Sequence, residues 1–213
     1  GYKDFERCLF LGFTDGEKGF SRNVAHNIMK IAVKHGGIPM TGYVCKGWEK
    51  GRFNDPYLRD TLMDFGFMID TLECTVNWSN MAHREVREVC HKLPNTIVTT
   101  HMSHCYPQGA NLYFIFMTKM QDEEEFRAYH ATILDAIQKS GAAISHHHGI
   151  GKMFAPWLEG YLGEKEYGII RTLKNYFDPD YLMNPGGTIG LDLKPEDKKY
   201  LREHTEYVDE LKD

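Results

Sequence analysis

The chain has 213 residues, with 25 lysines and arginines against 30 aspartates and glutamates, so its formal net charge is −5 with histidine neutral. A nucleic-acid-binding surface normally appears as a clustered basic excess, so this mild acidity argues against nucleic acid as a partner. Hydrophobic residues make up 42% of the chain and charged residues 26%, as in ordinary globular proteins. At roughly 150 residues per domain, the length predicts one compact domain followed by a tail.

The local composition disfavours membrane-spanning and disulfide-rich proteins. No stretch reaches the roughly 18 consecutive apolar residues of a membrane-spanning helix, and the N-terminal residues contain no signal-peptide core. The five cysteines are odd in number, widely spread and never arranged as C-x-x-C, which disfavours a disulfide framework and a thiolate zinc site. We therefore expect a soluble protein of the reducing cytoplasm.

The first part of the chain predicts a strand, two helices and a long connection. Residues 6–13 alternate and then become continuously apolar before a turn signal, which predicts a strand. Apolar residues at three- and four-residue spacing predict an amphipathic helix over residues 17–35. Residues 38–55 show no clean period and predict a long connection of the kind that forms lids or binding loops. Pro56 then favours a helix start, with Arg59 in its first turn.

The middle of the chain predicts a strand, a helix and a hairpin. Residues 67–76 have strand character, and residues 79–91 predict a helix with a polar cap. Residues 96–104 and 110–117 are rich in β-branched, apolar and aromatic side chains. Because a Pro-Gln-Gly turn lies between them, they predict an antiparallel strand pair.

The last part of the chain is more helical. Residues 122–140 and 165–177 predict helices, and residues 142–145 predict a short strand that leads into three consecutive histidines. Residues 184–187 are turn-rich. Residues 194–213 are highly charged and predict a surface helix, with disorder as the alternative.

Two successive strands in a hairpin decide the predicted fold class. A doubly wound parallel sheet would require strict alternation of strands and helices along the chain. The hairpin therefore favours an α+β fold, in which helices cover an antiparallel sheet. We assign residues 1–193 to this domain and residues 194–213 to the charged tail.

The clearest candidates for chemistry are His146, His147 and His148. Adjacent residues of an extended chain point to opposite faces, so at most two of the three can share one face. The glycines that follow, Gly149 and Gly151, allow the backbone to approach a ligand closely or to turn sharply. Histidine is also the side chain best suited to proton transfer near neutral pH. The run therefore indicates the floor of a site, with a solvated surface loop as the alternative.

A zinc site is a second interpretation of the histidines. Further ligands could come from His83, His91, His101 and His104, but their spacing matches no compact motif such as H-E-x-x-H. The glycines match neither of the common phosphate-binding loops, G-x-G-x-x-G and G-x-x-x-x-G-K-[ST]. Because the histidine spacing matches no compact zinc motif, we predict no resident metal, and we retain a non-enzymatic metal-binding domain as an alternative.

Two further side chains have both a functional and a plain structural interpretation. Arg59, near a helix start, could clamp an anion through its planar guanidinium, or it could be solvated or paired with a neighbour such as Asp55. Tyr113, on the aromatic second strand of the hairpin, could be core packing. As an acid or base at neutral pH its phenol would need a special environment.

The segment Ser145-His146-His147-His148-Gly149-Ile150-Gly151-Lys152 resembles the C-terminal signature of the alkyldihydroxyacetonephosphate synthase family. These are flavoenzymes of the vanillyl-alcohol-oxidase class. The resemblance covers about residues 36–185. It also includes the following matches: Leu173-Lys174, Asp178-Pro179, Tyr106, Gly109-Ala110, Leu112-Tyr113-Phe114, Trp78, Glu73 and Tyr57-Leu58-Arg59-Asp60.

The resemblance implies a two-domain enzyme in which an N-terminal domain binds FAD and a ferredoxin-like C-terminal cap forms the substrate side. This chain resembles the cap alone. The implied reaction replaces the acyl group of acyl-dihydroxyacetone phosphate by a long-chain alcohol, without net oxidation. The implied partners are the FAD-binding domain of the same polypeptide and a small phosphorylated or carboxylate substrate. Membrane-surface association of the full enzyme and a homodimer are left open.

The resemblance also implies roles for individual residues. Arg59 matches an arginine associated with the substrate phosphate, Tyr113 a tyrosine associated with proton transfer, and the three histidines, 146–148, the active centre. His101 stands where the family has an arginine, and we place it on the substrate side. We assign contacts with the cofactor to His148, Gly149 and Asn184.

One motif is similar to a different branch of the FAD-linked oxidases. Asn184-Pro185-Gly186 is similar to the glycolate- and D-lactate-oxidising branch, whose histidine motif carries Glu-His where this chain has His147-His148. An FAD-linked 2-hydroxy-acid oxidase or dehydrogenase is therefore the alternative, in which Arg59 would meet a carboxylate instead of a phosphate.

Overall fold

The structure is a computed structural model that describes residues 8–80, 82–119, 122–180, 182–184 and 186–189. The described residues form seven helices and three strands. In chain order these are α1 (Lys18–Lys34), α2 (Tyr43–Gly51), α3 (Asp55–Asp64), β1 (Phe67–Asn77), α4 (Ala82–Lys92), β2 (Thr96–Cys105), β3 (Gly109–Lys119), α5 (Glu123–Lys139), α6 (Ala155–Leu162) and α7 (Glu164–Phe177). The chain divides into two units, one ending at Leu58 and one beginning at Arg59. The predicted boundary at residue 193 lies outside the described residues.

The first unit contains α1 and α2. Its first helix is capped by Glu17, whose carboxylate accepts the N–H groups of Gly19 (2.8 Å) and Phe20 (2.9 Å). The hydrogen bond from Gly19, followed by that from Phe20, lowers the pKa of Glu17. Neither α1 nor α2 contains a buried residue, although both carry large apolar side chains.

Two predictions for the first unit were wrong. The predicted strand at residues 6–13 is absent from its described part, residues 8–13. A strand is stable only as part of a ladder, and the described part of this unit offers it no second strand. The predicted connection, residues 38–55, contains α2, whose apolar residues Tyr43, Val44 and Trp48 fall at helical spacing.

The second unit is built on a three-stranded antiparallel sheet in the order β1-β3-β2. Because paired residues share a face, Leu72 of β1 lies beside Phe114 of β3 on one face. This face is packed against α4 and α5, and the core includes Leu72, Val86, Leu112, Phe114, Phe116, Ile133, Leu134 and Ile137. The predicted α+β class, with helices covering an antiparallel sheet, is confirmed.

Three local details of this unit differ from the prediction. Residues 142–145 form only a single bridge, in which Ala143 exchanges two backbone hydrogen bonds with Thr75 (3.0 and 3.3 Å). Helix α6 was not predicted, because its eight residues are apolar nearly all round and show no periodicity. Arg59 lies in the second turn of α3, since the helix begins at Asp55.

No helix of the described ranges combines the length and the apolar composition needed to cross a membrane.

The pairing of β1 with β3 depends on the small size of Gly109. A Cβ atom at this position would lie 1.9 Å from the carbonyl oxygen of Val76 on the paired strand. Gly109→Ala should therefore force the two strands apart and lower the free energy of unfolding by about 3 kcal/mol. Urea denaturation would measure this change. As a control, Gly168→Ala in α7 meets no atom within 4 Å and should leave stability unchanged or raise it by about 0.5–1 kcal/mol. Equal stability of the two variants would contradict this prediction.

Candidate functional site

The sheet has one polar face, and the candidate site lies on it. Glu73 of β1 is paired with Tyr113 of β3, and Tyr113 is paired with His101 of β2, so all three lie on the same face. Asn111, two residues before Tyr113, also lies on this face. The alternation of apolar and polar residues along the strands thus separates the core from the site.

The histidine run turns around the carboxylate of Glu73. Oε1 of Glu73 accepts the backbone N–H groups of His146 (3.2 Å), His147 and His148 (2.6 Å). Successive backbone N–H groups that converge in this way form a nest for an anion. Here the anion is a side chain of the protein, so the conformation of the run is specified by the fold itself.

The other carboxylate oxygen of Glu73, Oε2, contacts side chains instead of backbone groups. It accepts a hydrogen bond from Nδ2 of Asn111 (2.6 Å) and contacts Nδ1 of His147 (2.9 Å). Burial has the largest effect on the pKa of Glu73 and raises it. The hydrogen bonds from the His147 backbone, Asn111, the His148 backbone and the His147 ring outweigh burial, and together they lower the pKa to about 2. Glu73 is therefore a fully buried carboxylate that stays ionised at neutral pH.

Asn111 links Glu73 to a second chain of polar contacts. Its Nδ2 also lies 3.1 Å from Nδ1 of His146, and its Oδ1 accepts a hydrogen bond from Oγ of Ser103 (3.2 Å). The other ring nitrogen of His146, Nε2, lies 3.2 Å from the hydroxyl of Tyr106. The buried Asn111 amide thus connects the carboxylate to an exposed phenol at the end of the hairpin.

Tyr113 and His148 form the other end of the site. Their rings pack edge to face with centroids 5.1 Å apart, and the ring of His101 lies 6.4 Å from that of Tyr113. The Tyr113 hydroxyl donates to Oγ1 of Thr71 (3.0 Å). His147 and His148 are exposed, whereas Tyr113 is half-buried. A ligand would therefore contact the edges of the imidazole rings and a phenol whose hydroxyl is hydrogen-bonded to Thr71.

The structure brings five of the predicted site residues together, namely Tyr113, His101 and the three histidines 146–148, and Gly149 continues their turn. Arg59 is exposed on α3, and its side chain forms no hydrogen bond or ion pair with another described residue. Asn184 is also exposed, but its segment returns to the site, because the N–H of Thr188 donates to the carbonyl of Gly151 (2.9 Å). None of these positions tests the predicted roles.

Sequence reasoning did not select Glu73, Asn111 or Tyr106 as site residues. The available signal was the alternation in β1, where Thr71, Glu73 and Thr75 interrupt an apolar strand at every second position. A glutamate in such a pattern is rarely buried unless it is paired. The partners could not be identified from the sequence, since the histidine turn lies more than seventy residues away along the chain.

The same atoms bear on the metal-binding alternative. Glu73, His146 and His147 place one potential ligand atom each within 4.8 Å of one another. However, the carboxylate already accepts three backbone N–H groups and contacts two side-chain nitrogens. A cation there would have to displace some of these contacts, so the donor set fits a hydrogen-bonded anchor better than a metal site.

Comparison with known proteins identifies the class of domain that this fold and site belong to. The family model for FAD linked oxidases, C-terminal domain, matches residues 45–188. The chain therefore belongs to the family of FAD-linked oxidase C-terminal domains. The prediction of this family from the histidine, tyrosine and arginine motifs is confirmed.

Comparison with individual proteins gives more specific matches than the family model. The chain is 30% identical over 207 residues to an alkyldihydroxyacetonephosphate synthase of Dictyostelium discoideum, covering 92% of this chain and 34% of that protein. A Trypanosoma brucei brucei protein of the same name is 28% identical over 149 residues, covering 65% and 24%. A glycolate oxidase subunit of Bacillus subtilis is 29% identical over 87 residues, covering 39% and 18%. The chain thus spans about a third or less of these curated relatives.

A solved structure supports the fold. The crystal structure of an alkyldihydroxyacetonephosphate synthase matches with a TM-score of 0.54 at 23% identity, covering 80% of this chain and 30% of the other. At this level of identity the likeness shows a shared α+β fold.

Family membership implies FAD, and the exposed rim of the site is suited to it. Proteins tune and orient a flavin through hydrogen bonds to its ring atoms, and when bound it supplies two-electron chemistry. His148 offers an exposed imidazole to such a ring. Gly149 has a φ of +77°, and no atom lies within 4 Å of the position that a Cβ would take, so the backbone can approach a ligand closely there. His148 and Gly149 would therefore hold the cofactor on this side.

Proposed function

We propose that this chain is the substrate-side domain of an FAD-dependent enzyme that replaces the acyl group of acyl-dihydroxyacetone phosphate by a long-chain alcohol. The names of two of its curated relatives support this reaction, as does the match over 92% of the chain to one of them. Within such an enzyme Tyr113 transfers a proton at the substrate carbon, and His146, His147 and His148 position the substrate or the flavin.

The observation that carries the proposal is the way Glu73 gathers the histidine run against Tyr113. Three consecutive backbone N–H groups and two side chains contact the Glu73 carboxylate and hold this turn in place. A solvated surface loop would need no such anchor. The result is a preorganised row of imidazoles beside a phenol, and both kinds of side chain can transfer protons.

The FAD-binding domain of the same polypeptide is the proposed partner. The relatives are about three times as long as this chain, which leaves room for such a domain. In the first unit, Phe20 and Ile31 of α1 are 63% and 60% exposed, a large apolar surface for a helix of a folded protein. We propose that the FAD-binding domain covers this surface, and that the isolated chain binds neither FAD nor substrate tightly.

A direct assay tests the proposed reaction. The complete enzyme, loaded with FAD, is given acyl-dihydroxyacetone phosphate and a radiolabelled long-chain alcohol. The proposal expects the label in an ether lipid precursor and an equal amount of released fatty acid. Label recovered only as unreacted alcohol, with an FAD-loaded protein, would contradict it.

Arg59 provides a prediction about the anionic group of the substrate. Its guanidinium is exposed and unpaired within the described part of the chain, so it is free to bind an anion in a bidentate manner. In the complete enzyme Arg59→Lys should raise KM about tenfold with little change in kcat, because a charged hydrogen bond is lost from the ground state and transition state alike. Steady-state kinetics would measure this. Arg22→Lys, an exposed arginine of α1, is the control, and equal KM values would contradict the role of Arg59.

A 2-hydroxy-acid oxidase or dehydrogenase is the second candidate function. It is supported by the shorter match to the glycolate oxidase subunit and by the Asn-Pro-Gly segment that begins at Asn184. In this case Arg59 would bind a carboxylate. Reduction of a dye by D-lactate or glycolate, with no ether formation, would favour this candidate over the first.

A reducing, cytoplasmic location is part of the proposal. All five cysteines are unpaired, and Cys74 and Cys90 are buried among apolar side chains. Burial raises the pKa of each of these two thiols to about 12, so they are inert as nucleophiles. Fractionation of cells that express the complete enzyme would test the location.

A further inference from the structure

The three consecutive histidines have different surroundings. His146 has both ring nitrogens engaged, one with Asn111 and one with Tyr106. His148 packs its ring against Tyr113, and among the described residues its side chain pairs with no carboxylate. His147 alone combines a buried carboxylate behind the ring with an exposed front, since half of its side-chain surface is accessible to solvent.

The ionised state of Glu73 fixes the tautomer of His147. A carboxylate can only accept hydrogen bonds, so Nδ1 of His147, 2.9 Å from Oε2, must carry the proton and donate it. In the neutral ring Nε2 is then unprotonated and keeps its lone pair. The carboxylate therefore turns the basic nitrogen of His147 away from itself.

Asn111 gives His146 the opposite tautomer. Its Nδ2 carries two hydrogens, and these are directed to Glu73 at 2.6 Å and to Nδ1 of His146 at 3.1 Å. Nδ1 of His146 must therefore be an acceptor, which places the proton of the neutral ring on Nε2. That proton is donated to the hydroxyl of Tyr106. His146 is thus a donor within the network, and it has no free basic nitrogen.

We propose that His147 is a general base that acts through Nε2, and that Glu73 is the positioning residue that holds its tautomer. The base role rests on the proposed function, whereas the tautomers do not. In the reaction, the O–H bond of a substrate hydroxyl breaks and its electron pair stays on oxygen, which can then attack carbon. The proton joins the lone pair on Nε2, and the Glu73 carboxylate stabilises the resulting imidazolium, as in other carboxylate–imidazole pairs.

The tautomers can be measured on the full 213-residue chain without substrate or FAD. Nitrogen-15 NMR of histidine-labelled protein distinguishes the two neutral tautomers, and the missing signals of His147→Asn and His146→Asn assign them. The proposal expects His147 to be protonated at Nδ1 and His146 at Nε2. A neutral His147 protonated at Nε2, or the same tautomer at both residues, would overturn it.

The base role is tested by His147→Asn in the complete, FAD-loaded enzyme. Asparagine keeps an N–H near the position of Nδ1, so the contact with Glu73 can persist, but it has no atom equivalent to Nε2. We expect kcat to fall by about 10²–10⁴-fold with little change in KM. His26→Asn, an exposed histidine of α1, is the control and should change neither. A kcat within threefold of the wild type would overturn the base role.

A pH profile separates a base from a merely structural residue. The acid limb of kcat/KM should disappear in His147→Asn and persist in His26→Asn, because protonation of Nε2 removes the base. The groups that face the ring are Glu73 behind it, His146 with ring centroids 4.1 Å apart and His104 at 4.5 Å. An unchanged acid limb would overturn the base role. If the wild-type enzyme lacks the alkyl-exchange activity, the proposed function fails, while the NMR result still decides the Glu73–His147 pair.

Discussion

Glu73→Gln should lower the free energy of unfolding by about 3 kcal/mol at pH 7. The pKa of Glu73 falls from 4.5 to about 2 on folding, and each pKa unit corresponds to about 1.4 kcal/mol. Glutamine resembles the protonated acid in shape, but its amide nitrogen is a hydrogen-bond donor and would have to face other donors. It would clash either with the three backbone N–H groups or with Asn111 and His147.

The loss should depend on pH in a defined direction. A carboxyl group whose pKa is lower in the folded protein contributes stability above its unfolded pKa, here about 4.5. That contribution is lost as the pH falls from about 4.5 towards 2. The difference in unfolding free energy between wild type and Glu73→Gln should therefore be present above about pH 4.5 and shrink as the pH falls towards 2.

Urea denaturation at several pH values would measure both effects. Glu159→Gln, an exposed glutamate of α6, is the matched control and should change stability by less than about 0.5 kcal/mol. Other carboxylates are present in wild type and variants, so their titration cancels in the difference. A difference that persists unchanged at pH 2–3 would mean that the ionisation of Glu73 is not the source of its effect.

The elements with a clear period could be predicted from the sequence. The strand at residues 67–76 and the helices at 17–35, 122–140 and 165–177 match β1, α1, α5 and α7 to within one or two residues. Their apolar spacing is regular over many residues. Helix α6 and the strand proposed for residues 6–13 were misjudged because short apolar stretches look alike, and only packing or a ladder partner distinguishes them.

The site was only partly predictable for a different reason. His146, His147, His148 and Tyr113 carry chemically distinctive side chains and stand in a recognisable motif. Glu73 lies in the same matched region, but its importance comes from contacts with residues 73 to 75 positions away in the chain. Such contacts are created by the fold. The order of the strands, which places β3 between β1 and β2, brings them together.

Tyr113→Phe should abolish turnover of the complete enzyme while FAD remains bound. The substitution removes only the phenol oxygen, whose proton is donated to Oγ1 of Thr71 at 3.0 Å. Thr71 thereby fixes the direction of the O–H bond beside the ring of His148. If this phenol transfers a proton at the substrate carbon, its loss should reduce kcat by about 10²–10⁴-fold.

Three measurements separate a catalytic effect from a structural one. Flavin absorbance should show an unchanged FAD content, and thermal unfolding should show a loss of no more than about 1 kcal/mol, since a single hydrogen bond is removed. Tyr176→Phe, an exposed tyrosine of α7, loses the same oxygen away from the site and should keep full activity. Because KM should change little, the defect should appear in kcat. Activity of Tyr113→Phe equal to that of Tyr176→Phe would remove the phenol from the mechanism and leave proton transfer to the histidines.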